Sequence, residues 1–319
     1  MDRIALMETF VRVVDSGSFS EAARKGAVSR AAVSKYIVVL EEYLGIRLLN
    51  RTTRQLHLTA EGELYYQRCR KILEEITETE QTVTHLHAAP RGLLRVSAPM
   101  SFGIQHLSPA IADFLLDFPG IEMDLVLNDR FVDLLEEGFD VAVRIGVLES
   151  STLMARRLAT AKLVLCASPT YVTRHGMPKE PEDLAQHACL SYSYTAVPSI
   201  WRFSQGSEER VVRIKGPLQV NNGDAMRVAV RAGVGVAVFP DFLIEEDLRV
   251  NTLIPLLPEF EMPQLGIYAV YPPTRYLSAK VRKFVDFLVD RFGSRPSWRV
   301  AATENGNGTP SSPGTPSPS

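Results

Sequence analysis

From Arg3 to Leu44 apolar residues recur every three or four positions, and the pattern breaks twice. Leu6, Phe10 and Val13 with Val14 share one face of a first helix over residues 3–15, and Ser16-Gly17 ends it, since glycine suits a left-handed cap. Ser18 and Glu21 form an S-x-x-E capping box for a second helix, and Ala22 and Ala23 allow close helix contact. Gly26 is expected to turn the chain through a positive φ, and Ser29 to cap a third helix. In that helix Val33, Ile37, Leu40 and Leu44 make a buried stripe, while Arg30, Ala31 and Ser34 fall on the opposite side with Lys35 at its edge. A helix with an apolar back and a small, basic front fits a DNA major groove. The same pattern also suits an amphipathic helical hairpin inside a core.

After Gly45 the period shortens. Two alternating pieces between Arg47 and Leu58 flank a basic tip, Arg51 to Arg54, and predict a β-hairpin wing. Arg51, Thr52 and Arg54 are the residues placed to reach phosphates or a minor groove; a solvated basic turn is the plain alternative. Thr59 then caps a long helix, about 60–88, whose apolar seam reads Tyr65, Cys69, Ile72, Ile76, Thr79, Val83, Leu86. That heptad spacing predicts a homodimer, which would hold two reading heads at a fixed separation. Ala88 to Gly92 reads as a linker.

Past the linker, strand and helix signals alternate. Strands are expected at 93–96, 121–127, 139–145, 163–167, 189–192, 211–220, 235–239 and 265–271, and helices at 103–118, 131–137, 169–175, 223–232, 240–247 and 277–292. This predicts an α/β region with a mainly parallel sheet, long enough for two lobes. Gly293 to Ser319 is rich in Ser, Pro, Gly and Thr and reads as disordered. The fold class is therefore α/β with an N-terminal all-α winged helix-turn-helix. The domains are 1–59 for DNA binding, 60–90 for the dimerising helix and hinge, 91–293 for an effector domain, and 294–319 for a disordered tail.

Charge supports this division. The chain of 319 residues has a net charge of −2, but residues 24–54 carry seven basic and two acidic side chains, and residues 55–90 carry three basic and six acidic. A basic segment in a near-neutral chain points to a polyanionic partner confined to that segment. Three cysteines, Cys69, Cys166 and Cys189, match neither a disulfide framework nor a zinc site. The N-terminus has no signal-peptide pattern and no apolar run is long enough to span a membrane, so a cytoplasmic setting is expected. Neither a catalytic set nor a metal site can be assembled, and no cofactor is expected; Gly233-Val234-Gly235 lacks the rest of a dinucleotide fingerprint. An enzyme or transport-type binding protein with an added DNA module, and a purely architectural DNA protein, remain as other classes.

METFVRVVDSGSFSEAA, AVSKYIVVLEEYLGIRLLNRTTRQLHLTAEGELYY, LLRVSAP and NNGDAMRVAVRAGVGVAVFPDFL resemble the LysR-type transcriptional regulators, over roughly residues 3–292. The resemblance implies a two-lobed effector domain like the type 2 periplasmic binding proteins, with lobe one at 92–160 and 266–292 and lobe two at 161–265. It implies double-stranded promoter DNA and a small-molecule effector as partners, a dimer through the linker helix, a homotetramer, and RNA polymerase as a further contact. Ser29, Arg30, Ala31, Ser34 and Lys35 match the family's reading positions. Many members carry Gln-Pro where this chain has Arg30-Ala31, and Arg prefers guanine where Gln prefers adenine. The implied cleft segments are Pro99–Gly103, Arg144 with Ile145, Ser191–Thr195, Asn221–Asp224 and the Phe239 region. From them Pro99, Ser101, Phe102, Gly103, Arg144, Tyr194 and Asn222 are the expected effector contacts. Helix N-termini at Ser101–Gly103 and Asn222–Asp224, with Arg144, suggest an anionic or polar effector. A redox-responsive regulator acting through Cys166 or Cys189 is the alternative.

Overall fold

The computed structural model describes residues 2–51, 56–84, 90–147, 152–195, 197–273, 277–293 and 298. The chain divides into two compact units, Met1–Ala88 and Ala89–Ser319.

The first unit runs α1 (Arg3–Ser16), α2 (Phe19–Lys25), α3 (Arg30–Leu44), a hairpin of β1 (Leu49–Arg51) and β2 (Leu56–Leu58), and α4 (Ala60–Thr84). Leu6, Phe10 and Val13 meet Ala22, Ala23, Val33, Ile37 and Leu40 in one core, closed below by Leu48 and Leu49. Asp2 caps α1 by accepting from the Ile4 N–H at 3.0 Å, and Ser29 caps α3 by accepting from Ala32 at 3.1 Å. Ser18 opens α2 without a side-chain cap, and the Glu21 carboxylate accepts from Arg24 at 3.0 Å, so the expected capping box does not form. Gly26 does not make the turn by positive φ either: its φ is −86°, and Ala27 takes the left-handed conformation at φ 50°. The Ala27 N–H reaches the Arg24 carbonyl at 3.3 Å and the Val28 N–H the Ala23 carbonyl at 3.1 Å, the paired bonds of a Schellman end. A Cβ at Gly26 would meet the Arg12 guanidinium, which would have to swing aside.

The start of the α4 stripe is consumed by its own unit. The Tyr65 ring lies 5.6 Å from Phe10, Cys69 is fully buried, and the Tyr66 hydroxyl bonds to Asp15. Ile72 stays exposed at 42%. The side chains of Thr79 and Val83, and Leu86 itself, lie outside the described residues.

The second unit begins with β3 (Gly92–Ala98), α5 (Met100–Phe102), a π-helical stretch Gly103–Leu107, α6 (Ser108–Asp117), β4 (Ile121–Leu127), α7 (Leu134–Glu137), β5 (Val141–Gly146) and β6 (Met154–Ala161). It continues through β7 (Leu163–Ala167), α8 (Pro169–His175), a 3-10 turn Pro181–Gln186, β8 (Ser191–Tyr192), β9 (Ile200–Gln205), β10 (Glu208–Arg213), β11 (Gln219–Val220), α9 (Gly223–Arg231), β12 (Ala237–Pro240), α10 (Asp241–Arg249) and β13 (Ile254–Pro255). It closes with β14 (Leu265–Tyr271) and α11 (Ala279–Gly293).

A five-stranded sheet has the order β4-β3-β5-β14-β6. β3 is parallel to β4 and β5, whereas β14 is antiparallel to both β5 and β6, so the sheet is mixed rather than mainly parallel. The reason is topological. The chain leaves the sheet after Ala161 and returns at Leu265 directly opposite, at the same end, which forces β14 to run back. The intervening residues form a second lobe around an antiparallel sheet β12-β7-β13, a β9/β10 hairpin and a short parallel β8/β11 pair. One core joins Leu94, Val96, Phe114, Val143, Phe284 and Leu288 of the first lobe to Cys166, Val230, Phe239 and Leu243 of the second. Trp298, in the stretch expected to bury nothing, is 3% exposed.

Candidate functional site

In the first unit, α3 puts Val33, Ile37 and Leu40 into the core, leaving Arg30, Ala31 and Lys35 exposed and Ser34 half-buried. Ser29, exposed at the N-cap, uses its hydroxyl to hold the Ala32 N–H. One carboxylate oxygen of Glu41, further along α3, accepts from the Leu48 N–H at 2.9 Å and the Leu49 N–H at 3.1 Å. The Thr59 hydroxyl donates to the Arg47 carbonyl at 2.8 Å, and Gly62 packs so tightly on the Leu48 carbonyl that a Cβ would not fit. The wing is therefore fixed to the helix before it and the helix after it. Its strands pair Leu49 with Leu58, Asn50 with His57 and Arg51 with Leu56. Thr52 and Arg54 lie outside the described residues, and Arg51 is described only as part of β1.

In the second unit the expected cleft residues divide. The loop after β4 brings Asp129 against α5, where its carboxylate accepts from the Met100 N–H at 2.8 Å and from the Asn222 side-chain amide at 2.8 Å. Asn222 is also the N-cap of α9, accepting from Ala225 at 3.0 Å. Asp224, in the first turn of α9, accepts from the Ser101 hydroxyl at 2.6 Å and from Gln105 at 3.4 Å. Ser101 and Asn222 thus meet partners on the opposite lobe, and the lobes are stitched together by two carboxylates. Tyr194, exposed at 40%, accepts from Asn221 at 3.4 Å and stands edge-on to Tyr192 at 5.9 Å. Burial, with the Asp129 charge adding to it, pushes the Tyr192 hydroxyl well above its usual range.

Three expected contacts sit elsewhere. Phe102 is fully buried among His106, Phe242, Phe292 and Trp298, because one step along a helix turns its ring away from the face Ser101 occupies. Gly103 packs on Leu127, where a Cβ would collide with the side chain. Arg144 gives its guanidinium to the carbonyls of Val132 at 2.7 Å and Arg130 at 3.4 Å, 5.3 Å from the Phe131 ring, and burial pulls its pKa down. Pro99 remains at the edge, half-buried, with its carbonyl accepting from Gly103 at 2.7 Å. Of the cysteines, Cys166 is buried with its thiol pKa driven far up, and Cys189 is pushed up to about 12 by burial.

Residues 4–63 match the bacterial regulatory helix-turn-helix protein, lysR family, and residues 87–293 match the LysR substrate binding domain. The chain belongs to the LysR family of transcriptional regulators. CrgA of Neisseria meningitidis is 37% identical over 291 residues, covering 90% of this chain and 96% of that protein. The solved structure of CrgA, a LysR-type regulator, matches with a TM-score of 0.59 at 36% identity, covering 91% of this chain and 98% of that one. A transcriptional repressor of Pseudomonas aeruginosa is 36% identical, covering 93% of this chain and 94% of its own length. The activator AaeR of Escherichia coli is 32% identical, covering 92% and 94%. This LysR-family chain is thus a transcriptional regulator with a DNA-binding helix-turn-helix and an effector-binding domain, not an enzyme. No helix among its described residues is long and apolar enough to cross a membrane, and no group of metal-ligating side chains occurs among them.

Asp129 and Gln105 are the cleft residues that sequence reasoning missed. Each gains its role from a partner more than ninety positions away, which no local spacing announces.

Proposed function

We propose that this regulator acts in the cytoplasm, reads promoter DNA with Ser29, Arg30, Ala31, Ser34 and Lys35 in the major groove, and contacts flanking phosphates through Arg51, Thr52 and Arg54 of the wing. The observation that carries this is α3 itself, with its apolar back in the core and its small, basic front exposed. Two copies joined along the exposed part of α4, beginning at Ile72, present two such fronts to two half-sites, and a pair of dimers makes the tetramer. RNA polymerase is then the contact through which the bound protein acts. Binding-site selection tests the reading. Wild type should select paired half-sites with guanine opposite Arg30, and Arg30→Gln should shift that position toward adenine. An unchanged site removes Arg30 from the reading face, and uniform protection without sequence preference favours an architectural role.

The effector is a small polar molecule bound between the lobes at Ser101, Asn222, Tyr194 and the Pro99 edge. An anionic one competes with Asp129 and Asp224, which already accept from the α5 N-terminus and the Ser101 hydroxyl. Phe102, Gly103 and Arg144 support the floor of the site rather than touching the ligand. A thermal-shift panel on the full chain tests this: a ligand at about 100 times its Kd adds about 2.7 kcal/mol. Stabilisation by cationic compounds alone overturns it. Burial of Cys166 and Cys189, which raises both thiol pKa values, favours the effector reading over the redox alternative.

A further inference from the structure

We propose that Trp298 docks into an aromatic socket at the joint between the two lobes and pins them together. The indole is almost wholly buried, although it lies five positions beyond the end of α11. Four rings surround it: His106 at 4.7 Å, Phe102 at 5.9 Å, Phe242 at 6.0 Å and Phe292 at 6.0 Å. The first three contacts are edge-to-face, the geometry that ring quadrupoles favour.

Those rings come from both lobes. Phe102 and His106 stand on the first helix of lobe one and Phe292 on its last, while Phe242 opens α10 of lobe two. The lobes already touch inside the socket. Phe102 and Phe242 are 5.3 Å apart, and His106 Nε2 donates to the Phe242 carbonyl at 3.0 Å. A carbonyl can only accept, so that nitrogen carries the proton. The indole packs on rings of both lobes at this joint. Its Nε1–H has no partner among the described residues, so ring packing alone holds it. Any hinge motion between the lobes must either carry the indole with both walls or expel it. Phe102 also follows Ser101, which bonds across the cleft to Asp224, so cleft and socket share one turn of helix.

The full chain offers a direct test, because Trp201 and Trp298 are its two tryptophans. With Trp201→Phe, Trp298 is the sole indole. Its emission should be blue-shifted and resist iodide quenching; emission and quenching typical of a solvated indole overturn the docking. Hydrogen exchange then separates a pin from a passive anchor. Trp298→Ala should speed exchange about tenfold at both residues 100–107 and the start of α10, as expected for loss of a joint between packed elements. Trp298→Phe keeps the ring, drops the unpaired N–H, and should stay close to wild type. Acceleration on one lobe only, or equal acceleration in both variants, overturns the pin.

Discussion

Ala27 sits at φ 50°, a region where a Cβ is strained, at the position where the Schellman end of α2 requires a left-handed residue. Ala27→Gly should therefore stabilise the chain by about 1 kcal/mol or less, relief of left-handed strain of about 1–2 kcal/mol being partly offset by the freedom glycine gives the unfolded chain, visible as a shift in the chemical denaturation midpoint. Lys35 stands exposed on α3, within the proposed reading face. Lys35→Ala should weaken a specific site by about 1–3 kcal/mol in a gel-shift titration if it meets a base, and unaltered affinity removes it from the reading face. His106 couples stability to pH. Burial pulls its pKa below the usual 6.5, while the Phe242 carbonyl and Asp241 pull the other way. The unfolded state therefore binds the proton first, and stability falls as pH drops from the unfolded value toward the folded one. Burial lowers His187 in the same direction. Unfolding midpoints should decline below about pH 6.5, and less steeply in His106→Asn; an identical slope in the variant discards His106 as the source.

At the level of elements, the wing depends on a carboxylate outside it. Glu41 satisfies two backbone N–H groups at the entry to β1, so Glu41→Ala should cost about 1–3 kcal/mol by leaving them unpaired. Glu41→Gln keeps an acceptor oxygen and should cost less. Equal losses in calorimetry would show that the charge, not the bonds, matters. Strands with alternating or continuous apolar residues were readable in full: Ile121–Leu127, Leu163–Ala167 and Leu265–Tyr271 match their expected limits. β6, MARRLATA, and β9, IWRFSQ, were not expected, because their arginines break the apolar run while the backbone still pairs. The run 211–220 divides into β10 and β11, since Pro217 cannot donate to a ladder. Helical residues of the reading head were legible from period alone, since one face had to be buried. The cleft was half legible. Ser101 and Asn222 stood out as helix starts, but Phe102 and Arg144 came with the cleft segments the family resemblance implies, and their side chains point into packing and toward backbone carbonyls.

For the whole molecule, the charge division along the chain follows the structural one. The basic segment, residues 24–54, lies wholly within the first compact unit, Met1–Ala88, so polyanion binding and effector binding occupy separate bodies of one chain. The second body is not built in the order it is synthesised. β14 lies between β5 and β6, and β6 pairs with β14 alone. On a ribosome adding 5–20 residues per second, the hundred or so residues between Ala161 and Leu265 take roughly 5–20 s, and throughout that time β5 shows an open edge and β6 has no sheet to join. A premature stop between Ala161 and Leu265 should therefore yield an aggregating, protease-sensitive fragment in pulse-chase expression, rather than a folded first lobe. Soluble, protease-resistant truncated protein would show that the early strands close on one another without β14. Nascent chains of this protein thus have a vulnerable interval in which a chaperone has an exposed strand edge to shield, and the emergence of β14 is what ends it.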